Sequence, residues 1–131
     1  GILSDQGHYD QALEMDLLAI DVLEASLGLH HADVIRALLN AGTHEALSGA
    51  MKKASVTFEE ALDRSQSSLG VNHVHTTSAL SNLATVYLRL GRHADAEPLM
   101  VRALAATPQD SPDYEKRSRR LAKIRNALGD R

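Results

Sequence analysis

Residues 69–106 read LGVNHVHTTSALSNLATVYLRLGRHADAEPLMVRALAA, and residues 27–64 read LGLHHADVIRALLNAGTHEALSGAMKKASVTFEEALDR. Superposed at a shift of 42, the two stretches agree at 11 of 38 positions, where roughly two or three agreements arise by chance from average residue usage. The agreements are Leu27/Leu69, Gly28/Gly70, His31/His73, Ala37/Ala79, Leu38/Leu80, Asn40/Asn82, Thr43/Thr85, Gly49/Gly91, Ala54/Ala96, Ala61/Ala103 and Leu62/Leu104. The opening segment joins the series one unit earlier, because Gly7, Ala12, Ala19, Ser26 and Leu27 fall on Gly49, Ala54, Ala61, Ser68 and Leu69. A fixed period of this length is the signature of a repeat architecture, and the chain enters it in mid-unit.

Within a unit the apolar spacing is helical. Leu80, Leu83, Ala84 and Tyr87 recur at i, i+3, i+4 and i+7, and Ala96, Met100, Ala103 and Leu104 follow nearly the same step. No alternating strand-like run competes with them. Gly91 lies between these two segments, where a residue that tolerates a left-handed backbone ends one helix and opens a short turn. Each unit therefore reads as a helical hairpin, and the whole chain predicts helices near 8–26, 31–47, 51–68, 73–89, 93–106 and 112–128. Ala12, Ala54 and Ala96 share one repeat position and Ala19, Ala61 and Ala103 another, two turns further along the same face. A methyl at those points lets a neighbouring helix approach closely, where a larger side chain would hold it off. Pro98, about a turn inside its helix, forfeits one backbone bond.

Composition agrees with a packed helical array. Of 131 residues, 44% are apolar and only 3% aromatic, so a core built around aromatic rings is not expected. The absence of cysteine excludes a disulfide framework, a thiolate zinc site and a cysteine nucleophile. Apolar runs last only a few residues, which matches neither a membrane span nor a signal peptide, and the expectation is a soluble, cytoplasmic domain. The net charge of -3 is unevenly spread: residues 1–110 hold 7 Lys/Arg against 14 Asp/Glu, and residues 111–131 hold 7 against 3. An acidic body carries a basic end.

The segment Leu27-Gly-Leu-His-His-Ala-Asp-Val34 resembles the LGxxHPDV linker of tetratricopeptide repeats (TPR) of the 42-residue, kinesin-light-chain-like type, with Ala32 in place of proline. Leu80-Ser-Asn-Leu-Ala-Thr-Val-Tyr87, Gly91-Arg-His-Ala-Asp-Ala-Glu-Pro-Leu99 and Arg102-Ala-Leu104 are similar to that family's LNNLAxLY, GKYxEAEPL and RAL stretches, in order and at the right period. The resemblance covers about residues 7–106. It implies an all-α fold of stacked antiparallel hairpins in a right-handed superhelix, a half unit plus two full hairpins over residues 1–110, and the residues at 111–131 read as a basic capping helix. Two departures stand out. Glu45 occupies the position of Tyr87, and Asp16 that of Phe58 and Met100. A carboxylate buried without a partner is costly, so these sites are expected to lie at an edge, pair locally or face a neighbour, with looser packing toward the start.

Stacked hairpins leave a concave face that offers binding area without chemistry. The resemblance implies that the first helix of each pair lines this groove and captures an extended peptide of a partner protein. Placed by motif, the lining is Arg36, Leu39, Asn40, Thr43 and Leu47 in one unit and Ser78, Ser81, Asn82, Thr85 and Arg89 in the next. Asn40 and Asn82 lead this set, because an extended peptide presents unpaired backbone groups and a carboxamide offers both a donor and an acceptor; pairing with the adjacent helix is the competing explanation. Asparagine is also a mediocre helix former, so its recurrence at mid-helix asks for a reason. Arg36 and Arg89 suit an acidic partner residue or are simply solvated.

Seven histidines raise the question of a metal. His30 and His31 share one linker, and His73 and His75 the equivalent one, but a site needs three or four converging ligands, and the repeat already accounts for His31 and His73. No metal, cofactor or catalytic residue is therefore assigned, and no HExxH, Walker loop or GxSxG appears. In the terminal segment Ser111 and Pro112 mark a helix start, Tyr114, Leu121, Ile124 and Leu128 mark one face, and Lys116, Arg119, Arg120 and Lys123 largely another. That pattern reads as a capping helix with its charges in water, with a basic surface for nucleic acid, anionic lipid or an acidic neighbour as the competing explanation. Without interleaved aromatics for base stacking, nucleic acid is not expected as a partner, and neither is a membrane. The expected function is a non-catalytic scaffold or adaptor for a protein or peptide, a motor cargo adaptor in its narrower form. Self-association through the starting edge is the alternative.

Overall fold

The computed structural model describes the backbone of residues 2–129 and the side chains from residue 7 to 129. It consists of α1 (Ile2–Leu27), α2 (Ala32–Leu47), α3 (Met51–Ser68), α4 (Val74–Arg89), α5 (His93–Ala105) and α6 (Pro112–Leu128), with no strand among the described residues. Five of the six helices lie where the apolar period places them. The exception is α1, which runs straight through Gly7, although the equivalent Gly49 and Gly91 are turn residues with φ of 94° and 80°. Glycine disfavours a helix interior by only about 1 kcal/mol, a cost small enough for α1 to run through Gly7.

The repeated residues act at the helix ends. His31 Nδ1 accepts a hydrogen bond from the Asp33 amide at 3.1 Å, and His73 Nδ1 accepts one from the His75 amide at 3.0 Å. Both histidines have extended backbones and stand immediately before α2 and α4, so an imidazole lone pair does the work usually given to a serine or aspartate oxygen at an N-cap. Ser111 does the same before α6, ahead of Pro112. At the other ends, the left-handed Gly49 and Gly91 turn the chain so that the amides of Ala50 and Arg92 bond back to the carbonyls of Glu45 and Tyr87, each at 2.8 Å. That closure satisfies carbonyls the helix itself cannot.

Each helix packs on the next, and in addition α2 comes close to α4 and α4 to α6, whereas the backbones of α1, α3 and α5 stay apart from one another. The row α2–α4–α6 is thus drawn together and the opposite row splayed, which makes the first row the concave side. Long side chains bridge the splayed row: Arg64 Nη1 of α3 reaches Glu24 Oε1 of α1 at 3.0 Å and the Leu29 carbonyl at 3.1 Å. The small residues close the hairpins as the sequence implies, since Ala54, Ala61, Ala96 and Ala103 are fully buried around Phe58 and Met100. Gly42 belongs to this set too. A Cβ there would stand 2.6–2.8 Å from three ring atoms of Phe58.

Both out-of-pattern carboxylates pair locally. Asp16 of α1 bonds to His44 Nδ1 of α2, and Glu45 accepts from the Thr57 hydroxyl across the α2–α3 hairpin. The start of the chain is nonetheless less covered than its centre: Met15, Leu18 and Val22 of α1 are 67%, 61% and 65% exposed. Ala19 is exposed although its repeat mates Ala61 and Ala103 are fully buried.

Candidate functional site

On the concave side, between α2 and α4, a cavity of about 120 Å³ brings together Thr43 and Leu47 from one helix and Asn82, Thr85 and Arg89 from the other. Its apolar side comes from Ala46, Met51, Phe58 and Val86, and Arg120 of α6 closes its far rim. Five of the ten groove residues expected from the sequence therefore meet at one place. Thr43 and Thr85 are equivalent down to their hydroxyls, which donate at 2.9 Å to the carbonyls of Leu39 and Ser81 four residues back. They present a methyl and an oxygen lone pair to the groove.

The two asparagines differ in setting and share one property. Asn40 is exposed, one turn before Thr43 on α2, and Asn82 is half-buried in the cavity wall. Neither carboxamide hydrogen-bonds to any described residue, so pairing with the adjacent helix does not explain their recurrence. Arg36 is exposed, sits 3.7 Å from Asp33 and lies close enough to His75 to disfavour its protonation. Ser78 lines a separate pocket with Thr77, Thr107 and Arg117. Leu39 and Ser81 do not line the groove: they are 7% and 3% exposed. A motif placed by spacing counts residues toward a face, while the closeness of α2 to α4 decides which of them remain open.

The terminal helix corrects the sequence reading in one respect. Lys116, Arg119 and Lys123 are exposed as expected, but Arg120 is half-buried and turned to the groove. Burial, with Arg89 and Arg117 nearby, lowers its pKa below the ordinary guanidinium value. The spacing places Arg117 and Arg120 beside the apolar stripe of Leu121 and Ile124, at steps of three and four, without saying which way either head group turns. Arg117 is held by the Thr107 hydroxyl at 2.7 Å.

Other polar clusters have structural partners. Between α4 and α3, the Tyr87 hydroxyl donates to Glu59 Oε2 at 2.6 Å, and Arg92 lies 4.1 Å from the Tyr87 ring centre. Burial, followed by that bond, pushes the phenol up to about 12. His73 and His75 stand with ring centres 4.9 Å apart, and among the described residues no three His, Asp or Glu side chains converge on a metal position.

A family model described as tetratricopeptide repeat matches residues 1–67 and, in a second register, 42–109. The chain belongs to the tetratricopeptide repeat family. Among curated relatives, a clustered mitochondria protein homolog from Aspergillus clavatus is 33% identical over 87 residues, which is 66% of this chain and 7% of that protein. The homolog from Aspergillus fumigatus is 31% identical over 96 residues, 73% of this chain and again 7% of the relative. The chain thus spans about 7% of the length of the curated relatives it matches. Among solved structures, the TPR-like repeats of a protein described as a kinesin light chain from Podosopora anserina superpose with a TM-score of 0.86 at 17% identity, covering 98% of this chain and 64% of that one. BtubC (BKLC) from P. vanneervenii gives 0.85 at 22%, covering 95% and 51%. These likenesses establish the TPR superhelical fold. TPR arrays generally mediate contacts between proteins, and among the described residues no helix is long and apolar enough to cross a membrane.

Proposed function

We propose that this TPR segment is a non-catalytic docking module that holds an extended peptide of a partner protein along α2, α4 and α6, with α6 serving as the cap of the array. The observation that carries this reading is the pair of repeat-equivalent carboxamides on α2 and α4, the exposed Asn40 and the cavity-lining Asn82, neither with a hydrogen-bond partner among the described residues. An extended strand has backbone amides and carbonyls at a spacing that such side chains engage. A cytoplasmic adaptor within a much longer protein is the setting we infer.

Peptides selected from a random display library on the folded chain provide the test. The Asn40→Ala/Asn82→Ala double variant is expected to stay helical and to lose more than about 1 kcal/mol of peptide affinity by calorimetry. Unchanged affinity would sink the groove assignment. A second reading, self-association through α1, draws on the exposed Met15, Leu18 and Val22; a monomer whose sedimentation is independent of concentration removes it.

A further inference from the structure

Adjoining the groove cavity is a larger one of about 540 Å³, bounded by α4, α5 and α6 and lined in part by Thr85, Arg89, His93, Arg120 and Lys123. Its charge is one-sided. No ion pair or hydrogen bond engages Arg89, Arg120 or Lys123 among the described residues, although the nearby Arg117, Arg119 and Arg125 each have a carboxylate partner. His93 lines the same cavity, and its Nδ1 is buried with no hydrogen-bond partner among the described residues. Holding a guanidinium half-buried beside a second one, with no anion between them, is unfavourable, and a bound anion reverses the sign of that term.

We propose that this cavity is a seat for the phosphate of a phosphoserine or phosphothreonine in the partner segment, a reading that rests on the groove as the peptide path. Arg89 and Lys123 are exposed and Arg120 is half-buried, and the three unpaired cations on two helices exceed the charge of a single carboxylate. A phosphomonoester carries close to two charges and three acceptor oxygens, enough for two guanidinium groups and the ammonium at once. Thr85, Arg89 and Arg120 line both cavities, so a peptide lying past Asn82 delivers a side chain into the second without leaving the first. Nucleic acid fits less well. Its phosphates need a linear cationic track and its bases a stacking platform, whereas this is one pocket whose lining includes no Phe, Tyr or Trp.

The test is a titration of the folded chain with O-phosphoserine at constant ionic strength, followed by amide and arginine Nε–H NMR shifts, with glutamate and a short single-stranded oligonucleotide as comparators. Saturable shifts at Arg89 and Arg120, stronger than with glutamate, are expected. Arg120→Gln and Arg89→Gln should each weaken the response about tenfold, the value of one charge-assisted contact. Arg119→Gln, which alters an exposed residue already paired with Glu115 at 3.1 Å, should leave it unchanged. The seat is overturned by no saturable shift, by glutamate matching phosphoserine, by equal losses in all three variants, or by tighter oligonucleotide binding through the same arginines. Because the probe spans only one side chain, its failure leaves the response of library peptides to Asn40→Ala/Asn82→Ala intact, and failure of the groove shows in those peptides alone.

Discussion

The hairpins α2–α3 and α4–α5 share a period, their capping histidines and their turn glycines, yet their centres are filled in opposite ways. In the first, Phe58 lies against Gly42, and Glu45 is tied to Thr57. In the second, Met100 and Ala84 occupy the positions equivalent to Phe58 and Gly42, Tyr87 replaces Glu45, and its hydroxyl crosses to Glu59 of the preceding hairpin. One interior takes a rigid ring by deleting a methyl. The other takes a flexible thioether and keeps it. A repeat thus conserves the backbone path and the volume of each layer, while the particular residues vary in compensating sets.

Exchanging members of these sets tests that account. Gly42→Ala carries the largest expected effect. In an isolated helix this substitution is stabilising by about 0.5–1 kcal/mol, but here the new methyl meets the buried Phe58 ring, and overpacking of this kind costs about 1–3 kcal/mol. A net loss of about 1–2 kcal/mol in chemical denaturation is expected, largely recovered in Gly42→Ala/Phe58→Met, which imports the second hairpin's pair. A stabilised single variant would show that the two interiors are not complementary sets. Tyr87→Phe comes next. It removes the bond to Glu59 that joins the hairpins while leaving the ring in place, for a loss on the order of 1 kcal/mol; no change would mean that packing alone joins the two units.

The smallest effect concerns pH at the junction of the hairpins. Burial, then His73 and Arg36, lower the pKa of His75 from its ordinary 6.5, against a weaker opposing pull from Asp33. The folded chain therefore resists a proton that the unfolded chain accepts. Stability should be flat for this group above about pH 6.5 and decline as pH falls below it. The melting curve of His75→Gln is expected to lose slightly less on acidification from pH 7.5 to 5.5 than that of the parent chain. An equal loss would place the acid sensitivity elsewhere.

Much of the fold was legible because the two hairpins are near copies. The period located five helices, and the recurrent alanines of the two full hairpins marked points of close approach, whereas Ala19 of α1 is exposed. The groove was legible in part. Of the residues that the resemblance placed there, Thr43, Leu47, Asn82, Thr85 and Arg89 line one cavity, Leu39 and Ser81 are buried, and Ser78 lines another pocket. Arg120 escaped notice because a basic residue beside an apolar stripe looks the same whether its head group turns outward or in.

The order of helices, their caps and their small-residue contacts were determined by the sequence alone, since each depends on residues within a turn or within one repeat of one another. The uncompensated cations around Arg120 and the orphaned His93 nitrogen were decided only by tertiary structure. Whether a cation facing the cavity finds a carboxylate on a neighbouring helix depends on interhelical distance, which a local pattern does not encode.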